Sequence, residues 1–325
     1  MQLCRPYIYL LSAAGALVLV GLHYFTRVEI DGSYWQSDLM FAFQLALLLV
    51  LWVRLGKKLV GASVVILRGH KIAQGVVEGL MMFASIATVL RLLDHATKTF
   101  AVPLADEPLA RADVMLGLPW LAYFEWVHDH PTLHPAMQWA YYWSDLAVLG
   151  IILGLALVRQ QTRMKAFIEA FVICSLVSIA IGAFFPARAA VDYLIGDVSA
   201  YTNFDHVPGV YHLKALEELR APFGAILIGD GHLAGMTTFP SLHTAIGVLV
   251  VLASLGTRLW VPALAFAVVM IPATPVWGGH YFVDLIGGAA VAVVIWVLVC
   301  RSLSIPAFGG WRLRRHVAAP IPSEA

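Results

Sequence analysis

The sequence predicts an all-α polytopic membrane protein with about eight transmembrane helices. Three observations carry that prediction. The chain of 325 residues is 60% hydrophobic, only 13% of it is charged, and its mean hydropathy is +0.81. A soluble domain carries about 25% charged residues. The values therefore exclude a disordered chain, a nucleic-acid binder and a normal water-soluble enzyme. The net charge of +1 is silent about partners, but the placement of the charges is not.

A span needs about 20 mostly apolar residues. Such runs fall at approximately Pro6–Phe25, Leu39–Leu55, Ile72–Leu93, Pro135–Val158, Ala166–Phe185, Ser241–Leu255, Leu259–Thr274 and Tyr281–Cys300. The first follows Arg5, and no small-x-small cleavage site precedes Glu29, so it reads as a retained span rather than a signal peptide. The seventh is short, and Pro262, Pro272 and Pro275 predict a kinked or broken helix. Between the third and fourth runs, Leu116–Trp126 is apolar but too short to cross, which predicts a helix lying on the membrane surface. The stretch Pro186–Pro240 is long and more polar, with turn signals at Gly209, Gly224, Gly229 and Gly231. A connection of that length is expected to be functional or to act as a lid. Gly287-Gly288 in the eighth run predicts close helix packing.

With the N-terminus inside, the inner segments hold 14 of the 21 Lys and Arg residues. That bias places both termini in the cytoplasm. The expected organisation is two N-terminal spans and a basic cytoplasmic loop over residues 1–71, a six-helix membrane core over 72–300, and a basic cytoplasmic tail over 301–325. Cys4, Cys174 and Cys300 show no pairing or metal-ligand spacing and read as small buried hydrophobes.

Ionisable residues at membrane depth are functional candidates. Two groups stand out: Phe239-Pro240-Ser241-Leu242-His243 at the start of the sixth span, and His280-Tyr281-Phe282-Val283-Asp284 at the start of the eighth. By the proposed topology both lie at the outer face. His280 and Asp284 are four apart, so a helix puts them within contact reach. The 37-residue gap from His243 to His280 fits one span down and one back. One imidazole can attack phosphorus while a carboxylate orients its far nitrogen, and the second can protonate the leaving oxygen. No metal or cofactor is required if cations or backbone donors hold the phosphate oxygens.

F-P-S-L-H followed by H-Y-F-V-D resembles the second and third motifs of the type-2 phosphatidic acid phosphatase superfamily. The similarity is greatest to its inositol phosphorylceramide synthase-like branch, where P-S-x-H replaces P-S-G-H. The resemblance covers about Ile72 to Cys300 and implies a six-helix core of that type, with the two N-terminal spans outside it. It implies that His280 is the nucleophile that forms a phosphohistidine, Asp284 its orienting partner, His243 the general acid and base, and Ser241 a phosphate contact. The first motif departs from the family: Pro186-Ala187-Arg188-Ala189 lacks a properly spaced Lys, and Thr274 stands where an Arg usually precedes the third-motif histidine. Arg188 is then the best phosphate clamp, with Lys214 and Arg220 behind it.

His128, His130 and His134 form a histidine-rich stretch, but Pro131 and Pro135 interrupt any ligand face, so a wet interfacial loop is expected rather than a metal site. Asp145 is expected to line the substrate cavity or to make a helix-to-helix hydrogen bond; Asp94 and His95, at an outer end, are expected to be interfacial, with Asp94 able to reach the site; Glu169 is expected to be solvated. The implied function is a metal-independent lipid phosphate phosphatase or phospholipid headgroup phosphotransferase, with a phosphorylated lipid as substrate, an alcohol as optional acceptor, membrane lipids around it and no nucleic acid. The alternative is a lipid-binding or lipid-transport protein that keeps the fold without catalysis.

Overall fold

The computed structural model describes residues 89–100, 102–221, 226–228 and 235–308, with a few short stretches and single positions between 13 and 87. All of the second predicted span and most of the first and third therefore lie outside the described residues. Residues 89–98 are helical. There follow α1 (Asp106–Met115), α2 (Trp120–His128), a single 3-10 turn (Pro131–Leu133), α3 (His134–Tyr142), α4 (Ser144–Leu157), α5 (Gln161–Gly182), α6 (Ala190–Leu194), α7 (Leu213–Leu219), α8 (Leu242–Ser254), α9 (Trp260–Trp277) and α10 (Phe282–Ser302). Among the described residues there is also a parallel pairing of two three-residue strands, β1 (Val28–Ile30) and β2 (Ile226–Ile228).

Helices α5, α9 and α10 are long and apolar enough to cross a membrane, and α3 and α4 with the preceding 3-10 turn form a broken span bent by 62°. Helix α8 is apolar but shorter, at 13 residues. These match the predicted fourth to eighth runs. Helix α5 is apolar on most faces and buries Phe167, Ile168, Phe171, Cys174 and Ile179. A helix that is hydrophobic all round belongs inside a bundle. Helix α8 lies beside it and packs on α4, α5, α9 and α10. Free Cys174 and Cys300 are both buried, as small hydrophobes would be.

Two expectations are corrected and one is narrowed. Of the kinked or broken helix expected over the seventh run, the break is not found: helix α9 runs unbroken through all three prolines. Pro262 falls in the first turn, where no intrahelical N–H partner is required, while Pro272 and Pro275 fall in the last two turns and remove few bonds. The apolar stretch Leu116–Trp126 is not one helix. It contains the end of the turn after α1, where Gly117 adopts φ +68°, and most of α2. Glu169 is buried rather than solvated, because the faces of α5 around it are packed.

Away from the motif-bearing loops, the fully buried Arg163 closes the opposite end of the bundle. Its Nη1 donates to the carbonyls of Leu252 and Ala253 at 3.1 Å each, and Nη2 donates to that of Pro306 at 3.4 Å. One cation of the inner-loop count thus satisfies the orphan C-terminal carbonyls of α8.

Helices α8 and α10 approach closely where Gly288 faces the start of α8. A Cβ there would lie 2.2 Å from the Ser241 carbonyl oxygen, whereas one at Gly150 in α4 would meet nothing within 4 Å. Gly288→Ala should lower stability by about 1–3 kcal/mol through overpacking. Gly150→Ala should be neutral or stabilising by up to about 1 kcal/mol. Thermal unfolding of the two variants in detergent checks the contrast.

Candidate active site

Irregular backbone beside a membrane bundle must find its hydrogen-bond partners within the protein. Here buried carboxylates supply them. Asp94 Oδ2 accepts from Met236 N at 2.8 Å and Thr237 N at 3.3 Å, and Oδ1 accepts from Thr237 Oγ1 at 2.5 Å. Asp106 on α1 accepts from Arg188 N with both oxygens, at 3.1 and 3.0 Å, and from Tyr281 Oη at 2.9 Å. Asp113, one helical face along, accepts from Phe282 N at 2.8 Å and Val283 N at 2.7 Å. Burial raises the carboxyl groups of Asp106 and Asp113 above their usual range, and the N–H donors pull them back. The strand-like segment after α5, the segment before α8 and the loop before α10 are thereby fixed against one another.

Two glycines complete that fit. Gly209 and Gly279 adopt φ of +73° and +65°, and a Cβ on Gly279 would meet the Gly209 carbonyl oxygen at 2.4 Å. Only glycine allows that backbone conformation and approach without strain. The neighbouring Gly279 carbonyl accepts from Ala190 N at 2.7 Å.

His280 sits in this loop, 4% exposed, with Nδ1 3.2 Å from Asp284 Oδ2. The predicted contact is made, but not across a helix face. His280 precedes α10, and Asp284 folds back at its third position to accept from Tyr281 N at 2.8 Å as well. An N-terminal cap thus doubles as the imidazole's orienting group. The backbone carbonyl of Asp284 accepts from Ser241 N at 3.0 Å, which ties the start of α10 to the start of α8. Ser241 is the N-cap of α8: its Oγ accepts from Thr244 N at 3.3 Å. In the first turn of α8, the His243 ring stacks on Tyr141, with centroids 4.3 Å apart, and lies 6.3 Å from the His280 ring. Trp120 Nε1 donates to the His280 carbonyl at 2.9 Å. Burial drives the His280 imidazole down to about 4, so it is neutral at neutral pH.

Both histidines line a cavity of about 860 Å³. Asp94, buried rather than interfacial, and Asp145 line it too, and Asp145 makes the expected helix-to-helix bond by accepting from Arg91 Nη2 at 2.6 Å. The sequence reading missed Arg91, Tyr141, Tyr211 and His212, which also line this space. Of these, His212 and Arg91 carried a usable signal, as titratable residues in or beside the predicted outer segments.

The three proposed phosphate cations are engaged elsewhere. Arg188 Nε donates to Asp192 at 2.5 Å and Nη2 to Glu217 at 2.9 Å. Lys214 is exposed near Glu218, and Arg220 donates to the carbonyls of Phe100 and Val102. None of their side chains is among those lining the cavity. His128, His130 and His134 bond to Asp129, the Trp126 carbonyl and the Val127 carbonyl respectively, and among the described residues no group of three potential ligands converges to hold a metal ion.

A family model described as the PAP2 superfamily matches residues 107–298, more than half of the chain. No curated protein and no solved structure matches it.

Removing one carboxylate should loosen one loop. Asp113→Ala leaves two first-turn amides of α10 unpaired and should cost about 1–3 kcal/mol per stranded group at most. A lowered unfolding temperature in detergent, partly restored in Asp113→Asn, is the expected result.

Proposed function

The chain belongs to the PAP2 superfamily, a family of phosphatase and phosphotransferase type acting on phospholipid-like substrates, and we propose that it transfers the phosphoryl group or phospho-headgroup of a membrane lipid through His280. The observation that carries the proposal is the meeting of His280, Asp284 and His243 at one cavity.

In the first half-reaction, His280 Nε2 attacks phosphorus while Nδ1–H stays on Asp284, which stabilises the developing imidazolium. The bond from phosphorus to the lipid oxygen breaks, and His243 gives that oxygen its proton. In the second half, His243 takes the proton of water or an alcohol as that oxygen attacks the phosphohistidine. Water completes hydrolysis and an alcohol completes transfer. Ser241 sets the first turn of α8, whose amides would bear on the phosphate oxygens. Arg91 is the cation on the cavity wall; Arg188 would serve only by exchanging Asp192 and Glu217 for phosphate, and Lys214 and Arg220 would act in the approach of an anionic headgroup. The P-S-L-H form favours the synthase-like branch, hence transfer to an alcohol. The chemistry asks for no metal or cofactor.

The charge bias supports an inner (plasma) membrane location with both termini cytoplasmic and the site at the outer face, within a six-helix core over 72–300 preceded by two spans. A lipid-binding or transport protein without catalysis is the rival, favoured by one observation: the nearby cations are already paired with carboxylates or backbone carbonyls.

His280→Ala should reduce phosphate release or headgroup transfer at least about 10³-fold while leaving the protein folded. Asp284→Asn and His243→Ala should each leave a small residual rate. Purified protein assayed against phosphatidic acid and phospholipids, with and without alcohol acceptors, checks this; full activity in His280→Ala removes the nucleophile. Turnover should also be lost as pH falls through about 4, because protonation occupies the Nε2 lone pair. The acid limb of the kcat/KM profile reports it.

A further inference from the structure

Two further histidines, His206 and His212, line the cavity, and neither step above uses them. His212 is 4% exposed and precedes α7 in the long loop. Its Nε2 lies 2.6 Å from the Arg188 carbonyl oxygen. A carbonyl only accepts, so Nε2 carries the proton. Nδ1 is buried without a hydrogen-bond partner. Burial drives this ring down to about 4, and the neighbouring His280 pushes the same way, so at neutral pH Nδ1 presents a lone pair rather than a proton. The Ser178 hydroxyl, also buried and without a partner, lines the same cavity.

A buried acceptor left unpaired costs free energy that a suitable donor recovers. A phosphate oxyanion cannot be that donor, since it brings lone pairs to a lone pair. A hydroxyl can. We propose that His212 is a hydroxyl-binding residue of this cavity, its Nδ1 accepting from an O–H group of the bound reactants. The inference rests on the phosphoryl-transfer reading of the cavity. Two sources share this chemistry: a hydroxyl on the headgroup of the donor phosphate, or the hydroxyl of the acceptor that attacks the phosphohistidine. In either case His212 selects and positions; the bonds that form and break stay on His280, phosphorus and His243.

Two substitutions separate its ring nitrogens. His212→Gln keeps an N–H near the Nε2 position for the Arg188 carbonyl and removes the acceptor at Nδ1. His212→Asn keeps a carbonyl oxygen near the Nδ1 position and gives up the tie to Arg188. Calorimetric titration of the full chain in detergent with glycerol 3-phosphate and with propyl phosphate measures the donor arm. Wild type should bind the hydroxylated phosphate about tenfold more tightly, the discrimination expected of one buried hydrogen bond. If the hydroxyl is the donor's, His212→Gln loses that ratio and His212→Asn keeps most of it. If it is the acceptor's, the ratio is unaffected, but His212→Gln accumulates phosphoenzyme during turnover of propyl phosphate, several-fold above wild type and above His212→Asn. An unchanged ratio with unchanged phosphoenzyme overturns the proposal. Equal losses in both variants also overturn it, because they trace the effect to packing. Absence of turnover in wild type would instead refute the phosphoryl-transfer reading, and the affinity ratio, which needs no turnover, then decides His212 by itself.

Discussion

Backbone N–H groups that leave helices near a membrane have no water to fall back on. In this protein the need is met by carboxylates. Asp94, Asp106, Asp113 and Asp284 each accept from backbone amides of a site segment, and each is almost wholly buried. A carboxylate takes several donors at once, so one acid can fix two consecutive residues. The segments around 188, 236 and 282 come from distant parts of the chain.

The reactive geometry inherits that rigidity. Asp284 bonds the Tyr281 amide and the preceding residue's imidazole through the same oxygen, so the cap that starts α10 also aims His280. The start of α8 is tied to the same residue through Ser241 N. His243 and His280 therefore share a frame, although they stand on different helices. The Tyr141 ring backs His243, and the Tyr141 hydroxyl lies 3.0 Å from that of Tyr211. The long loop is thus a wall of the cavity as much as a connection.

Much of this was legible in the sequence. Apolar runs of membrane length located α4, α5, α8, α9 and α10 to within a few residues, because length and hydrophobicity are local properties. The pairing of His280 with Asp284 was legible for the same reason, although its cause was a cap and not a helix face. The tertiary partners were not. Asp106 meets Tyr281 across 175 residues, and Asp113 meets Phe282 across 169; no spacing rule reports such contacts. Arg188 was singled out as a phosphate clamp; what it contributes next to the cavity is backbone, which meets His212 and Asp106. Its charge, however, is met by Asp192 and Glu217, and a sequence does not show which acid a cation will find. The prolines suggested a break that is not made, because their cost depends on where in a helix they fall.

The mutual seating of Gly209 and Gly279 bears on how such a cavity can be altered. Its polar lining comes from side chains on several separate segments, so substitutions at Arg91, Asp145, Ser178 or Tyr211 can recast what it accommodates one wall at a time. The hinge between the long loop and the histidine loop offers no such freedom. It is a contact of main chain on main chain, where even a methyl group intrudes. Any descendant or engineered variant that changes its cargo must do so around that fixed seam.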